Sequence, residues 1–267
     1  MSVDNRAAAD QKSFYDERYG TGSYMAGFTD LFEICRVNTV REELGRLGSS
    51  AAVDVLDYGC GEGRYLPIIL QAFPNAQITG CDVSTLAIER ARARYAGSFL
   101  EMSDEHAPVH DESADVLISV EVLEHVANVR LAVSEIRRVL RCGGVALLTT
   151  PCANSWSLEW VLNRLRGGLQ PSADGYGRFA TDEPGHLRRL RSSDLEALLT
   201  DAGLVSDHFS FRAHLFTTVM DHRLVRRLVP LSIRVSVSMW DWRLWRTRRN
   251  GATMLVVARK PVATSGL

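Results

Sequence analysis

Val55-Leu56-Asp57-Tyr58-Gly59-Cys60-Gly61-Glu62-Gly63 is the stretch whose reading decides the fold. Residues 52–57 form a strand-like run, and the run ends in a turn with glycine at 59, 61 and 63. In sheets built from alternating strands and helices, ligands gather at the carboxyl ends of the strands. Glycines there let ligand atoms approach bare backbone. The dinucleotide-binding pattern G-x-G-x-x-G would need glycine at position 64, which is Arg64 in this chain. Asp57 at the strand end would also repel a pyrophosphate. The turn therefore suits a ligand that lacks phosphate and carries positive charge.

Working outward, strands and helices alternate. Residues 77–82 read as a second strand and 98–100 as a third; 115–120 is a near-continuous apolar run, as expected of a strand covered on both faces. Residues 145–150 and two later runs, 204–211 and 253–259, complete seven strands. Between them, apolar spacing predicts helices over residues 28–47, over 66–73, over 84–95 with Ser84 as N-cap, and over 128–140, stopped by Gly143-Gly144. Ser193-x-x-Glu196 is a capping-box pattern opening a further helix that ends at Gly203. Such alternation implies an α/β fold with a doubly wound, mostly parallel seven-stranded sheet and helices on both faces. The last strand, arriving after long insertions, is a candidate for antiparallel addition.

At 267 residues and 46% hydrophobic, the chain can bury a substantial core. Its net charge of −1 argues against binding nucleic acid through bulk charge. Residues 209–250 are nonetheless basic, with nine arginines against two aspartates. The five cysteines are scattered and form no C-x-x-C pair, so neither a disulfide framework nor a zinc site is expected. No basic start leads into an apolar run, and no stretch reaches ~18 uninterrupted apolar residues. A reduced, soluble, cytoplasmic protein is the expectation.

Two further acids follow the glycine turn. Asp82 ends the second strand, where a carboxylate can accept from both hydroxyls of a ribose, and Asp104-Glu105 follow the third, where an acid can accept from an adenine amino group. S-adenosylmethionine fits this set: it has no phosphate, and it carries a sulfonium and an ammonium. The combined block resembles the class I S-adenosylmethionine-dependent methyltransferases, in particular the branch of ubiquinone and menaquinone biosynthesis. The likeness is carried by Leu56-Asp57-Tyr58-Gly59-Cys60-Gly61-Glu62-Gly63, Gly80-Cys81-Asp82-Val83-Ser84, the strand at 115–120 running into Glu121-Val122-Leu123-Glu124-His125-Val126, Leu140-Arg141-Cys142-Gly143-Gly144 and Thr149-Thr150-Pro151.

The resemblance implies a Rossmann-like domain in which Gly59 and Gly61 face the methionine part, Asp82 the ribose and Val83 one face of the adenine. It puts Asp104 or Glu105 at the adenine edge and Glu121 at the mouth of the fourth strand. Tyr15 and Tyr19 resemble an N-terminal helix that folds over the cofactor. The chain departs from the family in having Ser103-Asp104 where Gly-Asp is usual, which leaves the adenine contact open. The implied organisation is a helical cap (1–50), a cofactor-binding core (51–155), a lid with a returning helix (156–203) and C-terminal strands with a basic, Trp-bearing insertion in the same domain (204–267).

For the reaction, the acceptor must be held in line with the S–CH3 bond and relieved of its proton where it has one. His125, just past the fourth strand, and His186, in a Gly-Pro-bearing loop, are the candidate bases. No acidic cluster at divalent-metal spacing stands out, so no metal is expected. The expected partner is a small-molecule acceptor, with O-methylation ahead of N-methylation; nucleic acid is not expected. Residues 156–166 and 223–249, which carry Trp156, Trp160, Trp240, Trp242 and Trp245, are candidates for peripheral membrane contact, substrate grip or an oligomer interface, a homodimer among the options. An NAD(P)-dependent oxidoreductase and a catalytically silent binding subunit are the alternatives from other classes.

Overall fold

The computed structural model describes residues 3–22, 31–183 and 185–262, with side chains from residue 11 onward. Phe28, where the sequence opens its first amphipathic helix, and Pro184 lie outside the described residues.

Continuous apolar runs make the centre of a sheet buried on both faces. Strands β1 (Asp54–Tyr58), β2 (Gln77–Asp82), β3 (Ser98–Glu101), β4 (Ala114–Val120) and β5 (Leu140–Pro151) run parallel. After a two-stranded hairpin, β6 (Leu169–Gln170) with β7 (Arg178–Phe179), come β8 (Val205–Arg212) and β9 (Thr253–Arg259). The seven-stranded order is β3-β2-β1-β4-β5-β9-β8. β9 inserts antiparallel between β5 and β8, as the sequence allowed. Chain order reverses between β1 and β4, which puts the switch point beside the glycine turn.

Side-chain alternation divides the core. Leu56, Leu117, Leu148 and Val256 face α5 (Val129–Val139) and α7 (Ser192–Asp201); Val55, Ile118, Leu147 and Val257 face α2 (Leu31–Leu47), α3 (Leu66–Ala72) and α4 (Thr85–Arg94). Leu147 lies on β5, between β4 and β9, and is fully buried. Leu147→Ala is expected to cost about 2–5 kcal/mol, read as a lower denaturant midpoint at unchanged slope; an unshifted midpoint contradicts this packing.

Helix starts are set locally. The Ser84 hydroxyl accepts from Ala87 N–H (3.2 Å) and opens α4; the Asn128 amide oxygen accepts from Arg130 and Leu131 N–H and opens α5. Two boundaries differ from the sequence reading. The capping box at α7 sits two residues earlier, with Asp194 accepting from Arg191 N–H (2.8 Å), because the chain is already turning at Arg191. β5 begins at Leu140, not 145, because Gly143-Gly144 is absorbed as an irregularity in the strand instead of ending the helix in a loop.

The insertions are helical: α6 (Leu158–Leu165) in the first, and α8 (Phe216–Met220), α9 (Arg223–Leu228) and α10 (Leu231–Trp245) in the second. Trp242 is buried and Trp245 stacks on Phe216, so much of the basic segment's aromatic surface packs on its own domain. Trp156, Leu165, Leu228 and Trp240 stay exposed. Among the described residues no helix is long and apolar enough to cross a membrane.

Helix α1 (Val3–Gly20) lies across the carboxyl edge of the sheet. The Ser84 hydroxyl and Leu86 N–H both donate to the Asp16 carboxylate, and the Gln11 amide donates to His125 O.

Candidate functional site

The glycine turn is pinned to β2. Gly59 N–H (2.8 Å) and Cys60 N–H (2.9 Å) both donate to Cys81 O. Gly59 (φ 76°) and Gly61 (φ 52°) occupy the left-handed region that favours glycine. A Cβ at Gly59 would collide with Val122, and one at Gly61 with the Tyr19 hydroxyl, so neighbouring side chains pack directly on the backbone and neither position admits a side chain.

The turn lines a cavity that opens to solvent at the carboxyl ends of the strands. Ten of the twelve sequence-predicted residues line it: Gly59, Gly61, Asp82, Val83, Asp104, Glu105, Glu121 and His125 from the strand ends, with Tyr15 and Tyr19 from α1. Asp57 and His186 do not line it. Asp57 lies under the turn, and its Oδ2 is buried without a hydrogen-bond partner. Any influence of Asp57 on a ligand therefore passes through its field, not through contact.

Asp82 is preorganised. Its Oδ2 accepts from Gly61 N–H (2.8 Å) and its Oδ1 from Ser84 N–H (2.9 Å). Each oxygen has a second lone pair for a ligand hydroxyl. Burial raises the Asp82 pKa, and those two N–H groups pull it back. Glu105 is committed to the scaffold: its carboxylate accepts from Asn128 N–H (2.7 Å) and its carbonyl from the Tyr58 hydroxyl (2.6 Å). Asp104 takes a left-handed conformation (φ 56°) at the cavity wall.

Burial, then the nearby Asp82, pushes Asp57 up to about 7. In the unfolded chain it ionises near pH 3.9. The folded form thus holds the extra proton between these values. Its stabilising contribution is complete below about pH 4 and lost as the pH rises through about 7. Asp57→Asn is expected to gain melting temperature over the native chain on going from pH 5 to pH 8, at roughly 2–4 °C per kcal/mol. An equal difference at both pH values would contradict the buried, unpaired carboxyl.

The far wall is ionic. Glu121 accepts from the Thr149 hydroxyl (2.9 Å) and faces Arg36 (3.8 Å) and Arg212 (3.7 Å). Burial raises its pKa, but the two guanidinium groups outweigh burial and hold the carboxyl below its usual range. Beside it, His125 Nδ1 lies 2.8 Å from Gly185 O, which fixes the proton on Nδ1 and leaves Nε2 bare. Burial, then His186, lowers the His125 pKa to about 4.

The His125 and His186 rings meet edge-on with centroids 4.8 Å apart. Burial works against protonation of His186, but hydrogen bonding to Glu183 and the charge of Glu124 outweigh it and raise its pKa. Glu124 is fully buried and pushed up to about 8, by burial and then by Glu121.

Sequence reading missed several members. Arg36 comes from α2 and Arg212 from β8, each distant in sequence from the strand-end motifs. Glu124 was read only as part of a motif. Arg188 is buried and donates to Leu123 O (2.8 Å), Val126 O (2.5 Å) and Ala127 O (3.1 Å), clasping the loop that carries Glu121, Glu124 and His125. An arginine in a loop carries no signal that it will be buried.

A family model described as "Methyltransferase domain" matches residues 56–148. The ubiquinone/menaquinone biosynthesis C-methyltransferase of Desulfotalea psychrophila is 30% identical over 179 residues, 62% of this chain and 71% of that protein. The chain belongs to the S-adenosylmethionine-dependent methyltransferases. A "probable S-adenosylmethionine-dependent methyltransferase" of Mycobacterium tuberculosis is 32% identical over 155 residues, 58% of this chain. The chain spans about half the length of such mycobacterial relatives (49% of that protein and 52% of one from Mycolicibacterium smegmatis).

In fold, this methyltransferase-family chain matches one from a Haloferax volcanii complex of the Trm112 methyltransferase activator with a methyltransferase. That match has a TM-score of 0.61 at 21% identity and covers 97% of this chain and 100% of that one. Family membership sets aside the nicotinamide reading of the glycine turn. The site fits the family cofactor on its own chemistry. An unpartnered buried acid lies beneath the turn, and Asp82 offers free lone pairs. The arginines on the cavity wall are engaged by carboxylates, Arg36 by Glu121 and Arg64 by Glu33.

Proposed function

We propose that this protein transfers the methyl group of S-adenosylmethionine to a hydroxyl oxygen of a small molecule, of the quinone-precursor, polyketide or sugar kind. The observation that carries the reading is Asp82, fixed by two backbone N–H groups with lone pairs directed to the cavity. S-adenosylmethionine supplies a methyl group already activated on its sulfonium.

The chain's own residues bind and orient. Gly59 and Gly61 admit the methionine part against backbone, with the carboxyl of Asp57 beneath it. Asp82 takes the ribose hydroxyls, Val83 and Met102 flank the adenine, and Asp104 meets the adenine edge. Tyr15 and Tyr19 on α1 close the cavity and exclude water. The acceptor lies at the far wall. There Arg36 and Arg212 both face the carboxylate of Glu121. The acceptor's proton leaves at the corner made by His125 and His186.

The test is incubation of the purified protein with S-adenosylmethionine and matched panels of phenols, hydroxyquinones, sugars and amines. Release of S-adenosylhomocysteine and the site of methylation are read by mass spectrometry. Methylation on oxygen is expected. Methylation only of amines overturns the acceptor assignment, and tight cofactor binding without turnover on any panel makes the chain a silent binding subunit.

A further inference from the structure

Glu124, His125 and His186 each offer a ligand atom, and these atoms lie within 4.8 Å of one another, although 61 residues separate the two histidines. Two of the three residues carry a buried polar atom without a hydrogen-bond partner. Glu124 is fully buried, and its Oε1, 3.8 Å from His125 Nε2, accepts from nothing; His186 Nδ1 is likewise unpartnered. Unsatisfied buried groups of this kind cost ~1–3 kcal/mol each, and three groups converging on one point need a common explanation.

The surroundings orient all three. His125 Nδ1–H is held by Gly185 O, so its Nε2 lone pair is free. His186 Nε2 faces the Glu183 carboxylate at 3.2 Å, which puts its proton there and leaves Nδ1 bare. The second oxygen of Glu124 accepts from the Thr150 hydroxyl (3.0 Å). Imidazoles that give their outer N–H to a carbonyl or a carboxylate are the usual arrangement around a bound metal. The two segments are locked together by backbone, with Leu187 N–H donating to Glu124 O (2.8 Å).

We propose that Glu124, His125 and His186 bind one divalent first-row transition-metal ion. Two imidazoles and one carboxylate suit Zn2+, Co2+ or Mn2+. Metal–ligand bonds of about 2.1 Å hold ligand atoms roughly 3.4 Å apart, so the three draw inward by little more than an ångström. One ion then takes one ligand atom from each of the three residues. His125 also lines the cavity, so the ion would adjoin the acceptor. It would lower the pKa of the acceptor hydroxyl, whose proton would pass to water as the oxygen takes the methyl group; the two histidines would then be ligands in place of bases. Only that last step rests on the proposed function; metal binding itself stands apart from it.

The experiment strips the purified chain with a chelator and titrates it with Co2+, read by visible absorption, and with Mn2+, read by calorimetry. S-adenosylmethionine is titrated in parallel. One equivalent of each metal is expected. Glu124→Gln and His186→Ala are each expected to weaken metal binding at least about tenfold, while cofactor affinity and circular dichroism stay those of the native chain. If the native chain binds S-adenosylmethionine but neither metal, the proposal is overturned; so it is if both variants, folded, bind metal as the native chain does. Loss of cofactor binding with metal binding retained would instead overturn the cofactor reading.

Discussion

Asp82→Ala is expected to lower the affinity for S-adenosylmethionine by about 100-fold or more. The carboxylate is held by Gly61 and Ser84 N–H and keeps one lone pair on each oxygen for the ribose. A hydrogen bond to a charged group contributes about 1.5–3 kcal/mol, and each 1.4 kcal/mol is tenfold in affinity. Two such bonds therefore account for a hundredfold loss. Removing the carboxylate also frees Gly61 N–H, which loosens the turn and adds to the loss. Calorimetric titration of the folded variant checks this, and a change of less than about fivefold contradicts the ribose role. Asp82→Asn separates charge from shape. It keeps acceptor capacity at one oxygen only, so an intermediate loss is expected.

The second large effect is on the loop that carries the acceptor end of the site. Arg188→Ala strands the carbonyls of Leu123, Val126 and Ala127 and leaves Asp174 without its guanidinium partner. Breaking a buried ionic cluster by removing one member costs about 3–5 kcal/mol. For a chain of this size the loss lowers the melting temperature by roughly 6–20 °C, at 2–4 °C per kcal/mol. Arg188→Lys does not rescue it, because one ammonium cannot reach three carbonyls and a carboxylate with the geometry of the guanidinium fork. A lysine variant as stable as the native chain, or an alanine variant within about 1 kcal/mol of it, contradicts the clasp.

The cofactor half of the site was legible because it is local. The strand, the glycine turn and the acid ending the next strand fall within residues 55–84, and backbone pairing of Gly59 and Cys60 to Cys81 brings them together. The cap at Ser84 was equally readable, since a cap acts within three residues of itself. Gly143-Gly144 misled because glycine signals a turn in sequence, whereas here the pair forms an irregularity in β5 and exchanges backbone hydrogen bonds with Lys260. The acceptor half was less legible. Arg36, Glu121 and Arg212 come from three separate elements, and Glu124 meets His186 only when the loop after β7 folds back over β4. Such meetings depend on tertiary packing, which no spacing in the chain encodes. The tryptophans of the basic insertion illustrate the same limit: Trp242 turns inward while Trp240, two residues away, faces solvent.

The most direct test of the central claim is a pair of calorimetric titrations of the purified native chain, one with S-adenosylmethionine and one with NADH. The acidic, phosphate-free turn predicts micromolar, one-to-one binding of S-adenosylmethionine and no binding of NADH. Binding of NADH with none of S-adenosylmethionine would contradict the account and make the glycine turn a nucleotide loop.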